Sequence, residues 1–219
     1  MGITIAKLKE LGGQAERGND LSTAFKIYWR LVDASPQDIE NRLKIADLLM
    51  KAKAQDAATE VYKAVALYGI KSGHPLIALV VMKVLEERGV DINPLLQEMA
   101  RNYASTSKKL SKRGQRLSPE HPDTEVDPPD LEAEIEPAAV MAGAARAAAN
   151  LESVSVYPQN LHRIPLLSQL PPETFVRLCT AMRAIRVPDG AMILREGEMG
   201  KSFFFLALGQ VRVFHADRH

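Results

Sequence analysis

The chain has 219 residues, 46% of them hydrophobic and 25% charged, with a formal net charge of +1, a make-up that suits an ordinary folded protein of one large or two small domains. So small a charge exerts no long-range pull on nucleic acid or an acidic membrane, and neither is expected as a partner. The single cysteine, Cys179, excludes an internal disulfide, no apolar run approaches the ~20 residues that span a bilayer, and the N-terminus lacks a secretion leader, so a cytoplasmic location is expected.

From Ile3 to about Ser107 the apolar spacing predicts helix after helix. Ile5, Leu8 and Leu11 share one face of the first, ended at Gly12-Gly13 or, if it continues, at Gly18-Asn19. Asp20 or Ser22 caps the second, with Ala24, Ile27, Tyr28 and Leu31 on its apolar face and Pro36 closing it. Leu43, Ile45, Ala46, Leu48 and Leu49 mark a third helix; Ala57, Ala58, Val61, Tyr62, Val65 and Ala66 mark a fourth. His74-Pro75 opens a fifth, Leu76 to Glu87, which is apolar nearly all round and therefore central or covered. Asn93-Pro94 starts a sixth, carrying Leu95, Leu96, Met99 and Tyr103.

The stretch Ala24 to Val32 aligns with Ala58 to Ala66, placing Ala24 and Tyr28 over Ala58 and Tyr62. This offset, and the small residue followed one turn later by an aromatic, resemble the tetratricopeptide repeat with its period of ~34 residues. A third, drifted unit is drawn through Tyr68, Gly73, Ala78, Met82 and Leu85, while only Leu11-Gly12 keeps the first half of the consensus. The resemblance implies a helical module over residues 1–107 that binds a protein partner.

Residues 108–137 change character. Lys108, Lys109, Lys112, Arg113 and Arg116 precede an acidic run from Glu120 to Glu136 punctuated by Pro119, Pro122, Pro128, Pro129 and Pro137. The prolines exclude a continuous helix. With little apolar surface to offset its ordering entropy, the segment is expected to be a flexible linker, its basic cluster a solvated face at a helix end. Residues 138–160 hold an alanine-dense helix up to Asn150 and an extended connector through Tyr157-Pro158.

The last segment, residues 161–219, begins with Leu166-Leu167-Ser168-Gln169-Leu170-Pro171-Pro172-Glu173, where Pro172 suits the first position of a helix with Phe175, Leu178, Cys179 and Met182 on its buried stripe. From Val187 to Phe214, turn and strand residues alternate: Pro188-Asp189-Gly190, a strand Ala191 to Arg195, a reversal between Gly197 and Gly200, the apolar run Phe203 to Leu208, Gly209-Gln210, then Val211 and Val213 either side of Arg212. Such a pattern predicts a compact antiparallel β-roll. The run Ile193 to Gly209 resembles the first signature of the cyclic nucleotide-binding domain family, departing at Leu194, where that family favours Val, Ile or Cys. In that family, a later cassette holds the cyclic phosphate with a Gly-Glu helix start and an arginine, the usual means of gripping a phosphate. Nothing after Phe214 matches it. The resemblance therefore implies the first part of such a domain, expected as a fragment of a longer protein, with cyclic AMP or cyclic GMP a ligand only of a longer form.

No residue is singled out as catalytic, cofactor-binding or metal-ligating. His74, His121, His162, His215 and His219 are scattered, Cys179 sits on an apolar stripe as a buried thiol, and no nucleophile-elbow or phosphate-loop motif occurs. Glu196 and Glu198 read as exposed turn residues, and Phe203, Phe204 and Phe205 as core or lid of the roll. The expected fold is mainly α with a C-terminal α+β part: a helical repeat bundle, a charged linker and an incomplete β-roll. The expected function is that of a non-enzymatic regulatory protein; the alternative is a scaffold whose roll has no nucleotide role.

Overall fold

A computed structural model of the protein describes residues 2–154, 156–200 and 202–214. The first six helices are α1 (Ile5–Arg17), α2 (Leu21–Ala34), α3 (Ile39–Lys51), α4 (Gln55–Ser72), α5 (Pro75–Glu86) and α6 (Asn93–Tyr103). Loops of a few residues make α1 and α2, α3 and α4, and α4 and α5 adjacent hairpins, with α6 packed on α4. The caps follow the local chemistry. The Thr4 hydroxyl accepts from Lys7 N, Asp20 from Thr23 N, and Asp38 from Glu40 N and Asn41 N. α1 takes the longer of its two expected courses: Gly12 does not end it but lies against the Tyr28 and Ile27 side chains.

The two positions related by the internal offset play matching parts. Ala24 and Ala58 are fully buried, Tyr28 and Tyr62 nearly so. Each phenol meets a carboxylate of the preceding helix: Tyr62 donates to Asp47 at 2.6 Å, and Tyr28 lies beside Glu16. Burial first, and that carboxylate second, push both phenols well above their ordinary range.

The chain is mainly α with a small β part, as expected, but that part lies elsewhere. Its strands are two residues each: β1 (Ile3–Thr4), β2 (Leu110–Ser111), β3 (Glu125–Val126) and β4 (Leu161–His162). β1 pairs antiparallel with β3, Ile3 opposite Val126, and β2 pairs parallel with β4, Leu110 opposite Leu161. The expected β-roll is corrected: the described residues of 187–214 form no strand. Their turns are where expected, with φ of 76°, 85° and 92° at Gly190, Gly197 and Gly209 and a Pro188–Ala191 turn bond of 3.2 Å. A strand exists only against a ladder partner, and these runs find none among the described residues.

The expectation of a flexible linker over 108–137 is also corrected. The segment is a strap laid along the bundle and held through its backbone. Leu117 N donates to Ser72 O at 2.8 Å, Glu120 N to Ser35 Oγ at 3.1 Å, Ile5 N to Thr124 O at 3.0 Å and Ala6 N to Pro122 O at 2.8 Å. Lys26 Nζ donates to the carbonyls of Leu131 and Ala133, and Arg30 Nε to that of Asp127. Composition reports a segment's own apolar surface. The partners that order this one belong to the bundle. Gly73 marks the closest approach: with φ at 95°, it ends α4, and a Cβ there would stand 2.7 Å from Arg116 Cα.

Two further helices complete the wrap. α7 (Pro137–Ala149) lies across α2, α3 and α4, and α8 (Pro172–Ala181), led by a short 3-10 turn at Leu167–Gln169, packs on α6. Pro172 opens α8 as expected, with no side-chain cap from Pro171. Among the described residues, no helix is long and apolar enough to cross a membrane.

Candidate interaction site

Both helices that follow the bundle end on a cation buried in it. In α3, Ile39, Arg42, Ile45, Ala46 and Leu49 share the inward face and are all buried, so the Arg42 guanidinium is drawn inside with its neighbours. Its Nη1 donates to the carbonyls of Ala147 at 3.2 Å, Ala148 at 2.6 Å and Asn150 at 2.9 Å; Nη2 donates to Ser153 Oγ at 3.1 Å and Pro36 O at 3.0 Å; Nε donates to Pro36 O. These acceptors include the last carbonyls of α7, which have no partner within the helix, and the negative end of its dipole faces the cation. No carboxylate pairs with Arg42 among the described residues. Desolvation lowers its pKa from the ordinary value, opposed by Tyr68, Tyr157 and Asp33.

The aromatic wall of this clasp comes from two distant segments. The guanidinium lies 5.6 Å from the Tyr68 ring centre, and the Tyr157 ring tilts against Tyr68 at 6.1 Å. Burial pushes the Tyr68 phenol up to about 12, and its hydroxyl donates to Gln37 O at 2.7 Å. Under α7 the packing is close. Gly143 faces the Trp29 ring so directly that a Cβ there would run into it, while Val140, Ala144 and Ala148, four residues apart, form the rest of the buried stripe.

α5 repeats the device on α8. Lys83 is buried between apolar neighbours, and its Nζ donates to Thr180 O, in the last turn of α8, at 2.8 Å and to Glu86 Oε2 at 2.9 Å. Leu170 O, just before α8, accepts from Ser105 N at 2.9 Å. Cys179 lies fully buried on the inner face of α8 beside Phe175, and burial pushes its thiol up to about 11, with Lys83 pulling the other way. Protected from solvent and protonated, this thiol is expected to resist maleimide in native buffer and to react fully only in denaturant. Stoichiometric labelling of the native chain within minutes would contradict that burial.

The strap meets the bundle at His74, whose ring Nε2 lies 2.8 Å from Leu117 O. A cleft of about 530 Å³ opens there, lined by Lys9, Asp38, Arg116, Arg163 and Leu208 among others. Burial holds the His74 imidazole below its ordinary value of 6.5; the Leu117 bond and Asp38 raise it, and Arg116 lowers it further. The folded protein thus takes up this proton less readily than the unfolded chain. The stability carried by the neutral ring is complete above about pH 6.5 and falls as pH drops from there through the depressed folded value. Denaturant titrations between pH 7.5 and 5.5 are expected to show this decline, and His74→Gln to flatten it. An unchanged slope in the variant would remove His74 from the strap's attachment.

The nucleotide-sensor-like segment is built differently. Leu194, Phe203, Phe204, Leu206, Val211, Val213 and Phe214 are exposed, whereas Phe205 is half-buried against the core and stands edge-on to Phe203 at 5.6 Å. Of the scattered histidines, His74, which serves the strap, and His162 of β4 line the same cleft, while His121 lies beside Asp123. His215 and His219 lie outside the described residues. Among the described residues, no three His, Cys, Asp or Glu side chains converge as metal ligands. The basic cluster lies in the strap, and one member, Lys109, reaches back to the end of α6, its Nζ donating to Asn102 Oδ1 at 2.9 Å. Arg42 and Lys83 are the buried cations of this site that sequence reasoning passed over. A signal existed, because each is a lone cation at an apolar helical spacing.

Comparison with known proteins gives a partial likeness. Over 62 residues, 28% of this chain, it is 36% identical to a protein from Aspergillus fumigatus named cAMP-dependent protein kinase regulatory subunit, covering 15% of that protein. Over 64 residues it is 28% identical to a regulatory subunit of the same name from Blastocladiella emersonii, covering 16% of it, and over 59 residues 36% identical to one from Aspergillus niger, covering 14%. No protein-family model matches the chain. No solved structure matches it either. The chain thus shares with regulatory subunits of cyclic-AMP-dependent kinases a stretch of little more than a quarter of its length, which spans about one seventh of theirs.

Proposed function

We propose that this is a non-enzymatic regulatory protein in which a helical protein-interaction module is coupled to a cyclic-nucleotide-sensor-like region, with no complete nucleotide site in residues 1–219. The observation that carries this reading is the position of α8. It is the last helix before the signature run Ile193 to Gly209, joined to it by residues 182–192, and the Thr180 carbonyl in its last turn is held by Lys83 of the bundle. A change in the signature region that shifts α8 therefore reaches α5 through one buried contact. The likeness to kinase regulatory subunits supports the cyclic-nucleotide half of the proposal. The paired Ala24/Tyr28 and Ala58/Tyr62 hairpins support a tetratricopeptide-like module and, with it, a protein partner.

Calorimetry tests the sensor half. Neither cyclic AMP nor cyclic GMP is expected to give binding heat with residues 1–219, whereas a chain continued past His219 through a phosphate-binding cassette is expected to bind one of them saturably. Tight binding by residues 1–219 would overturn the reading of the site as incomplete. A scaffold role is favoured by one observation, that the expected strands of 191–213 are unformed; it is selected if the continued chain also fails to bind.

A further inference from the structure

The surface formed by α2, α3 and α4 carries a helix, and the way it does so differs from the packing of the bundle itself. Helices α1 to α6 bury Leu, Ile, Phe, Tyr and Met side chains against one another. α7 buries Val140 and otherwise only Gly143, Ala144 and Ala148. An alanine methyl removes far less apolar surface from water than a leucine, phenylalanine or tyrosine side chain, so hydrophobic packing holds α7 less firmly than the helices beneath it. Its attachment depends instead on recognition: shape at the Trp29 ring, and charge at the Arg42 guanidinium, which points out of α3 towards the carbonyls at the end of α7.

Charge continues the same pattern upstream. Lys26 and Arg30 on α2 take the carbonyls of Leu131, Ala133 and Asp127, and Arg30 Nη2 stands 3.8 Å from the Asp127 carboxylate. The segment they hold carries Asp130, Glu132, Glu134 and Glu136 on its way into α7. The groove thus holds, from one end to the other, an extended lead by its carbonyls and the Asp127 carboxylate, a helix with small residues four apart, and the last carbonyls of that helix. An element with few large buried contacts opens at lower cost than the core it sits on.

We propose that the α2–α4 groove is a helix-binding site whose resident occupant, α7, is exchangeable, and that it takes from a protein partner a short Ala/Gly-faced helix with an acidic lead and free C-terminal carbonyls. The proposal deepens the protein-partner half of the reading above and rests on it. It involves no nucleotide, so its failure is separable from failure of the sensor half. α7 is then a competitor in cis, and any event that loosens it raises the partner's apparent affinity by the fraction of open groove.

The test uses the full chain and a fluorescein-labelled, C-terminally amidated peptide with the sequence of residues 128–150. Ala144→Asp places a charge on the buried stripe and is expected to undock α7, with Gly143→Leu as an independent second undocking variant. Circular dichroism and a single cooperative melt establish that the six-helix bundle of each remains folded. The peptide is expected to bind both undocked chains at least tenfold more tightly than the wild-type chain. Adding Arg42→Gln, or placing Ala144→Asp in the peptide, is expected to weaken that binding at least tenfold. Absence of binding to both folded, undocked chains, or binding indifferent to Arg42, overturns the proposal. So does formation of mixed dimers between differently tagged wild-type chains through exchange of α7, which would make a second copy the occupant.

Discussion

Arg42→Leu is expected to destabilise the chain by about 3–5 kcal/mol, the cost of leaving a set of buried carbonyls without their charged donor. The guanidinium serves the ends of two separate segments, Pro36 before α3 and Ala147 to Asn150 at the close of α7. Leucine reaches none of them. Urea titration should shift the midpoint by about 2 M, and hydrogen exchange should show the amides of α7 losing protection ahead of those of α4. Arg42→Lys keeps the charge but loses the planar fork, so it should recover less than half of the lost stability. A variant with wild-type midpoint and a protected α7 would mean that shape alone seats this helix, and the clasp would have to be abandoned as an organising contact.

Phe175→Ala is expected to act at the other end of the wrap. Phe175 is fully buried and, with Cys179, is all that α8 buries completely, and removing its ring costs about 3–5 kcal/mol where the site cannot collapse. Cys179, the partly buried Val176 and Leu178 and the single Lys83–Thr180 bond are then left to hold the helix. α8 should open while the bundle persists, and Cys179 should become reactive to maleimide in native buffer, which reports on this helix and no other because the chain has one cysteine. If the thiol stays protected, α8 is held by something other than its aromatic anchor, and the route from the signature region to α5 loses its physical basis.

The two variants address one principle of construction. A bundle of hairpins offers an inward-facing cation at each of two places, and a later helix docks by presenting its C-terminal carbonyls there. Electrostatics helps direct where these helices sit: α7 has no broad stripe of large side chains, and α8 adds the Lys83 contact to the packing of Phe175 and Cys179. The same economy explains the strap, which contributes backbone donors and acceptors rather than a core.

Much was legible in the residues. Spacing located all six helices of the bundle, because each buries a stripe wide enough to mark the sequence. Asp20 and Pro172 stood at helix starts as their chemistry requires. The Ala24/Tyr28 and Ala58/Tyr62 pairs were visible as an offset before they were visible as equivalent buried contacts. The turns at Gly190, Gly197 and Gly209 were written in residues that tolerate positive φ.

What local sequence could not carry was partnership. Turn residues fix where a chain reverses, but a strand needs a second backbone at ~4.8 Å, so the described residues of 191–213 kept their turns without becoming a sheet. Composition labelled 108–137 as too polar to order itself, which is sound for an isolated segment; Ser72, Ser35, Lys26 and Arg30, lying 45 to 107 residues away along the chain from the groups they hold, order it from outside. The sequence by itself determined the helices, their caps and the turns, because those depend on neighbours within a few residues. Only the tertiary structure decided that the strap lies down, that α7 fills the α2–α4 groove and that α8 ends on Lys83. Each of those depends on a buried charge or backbone group meeting a partner that no local pattern names.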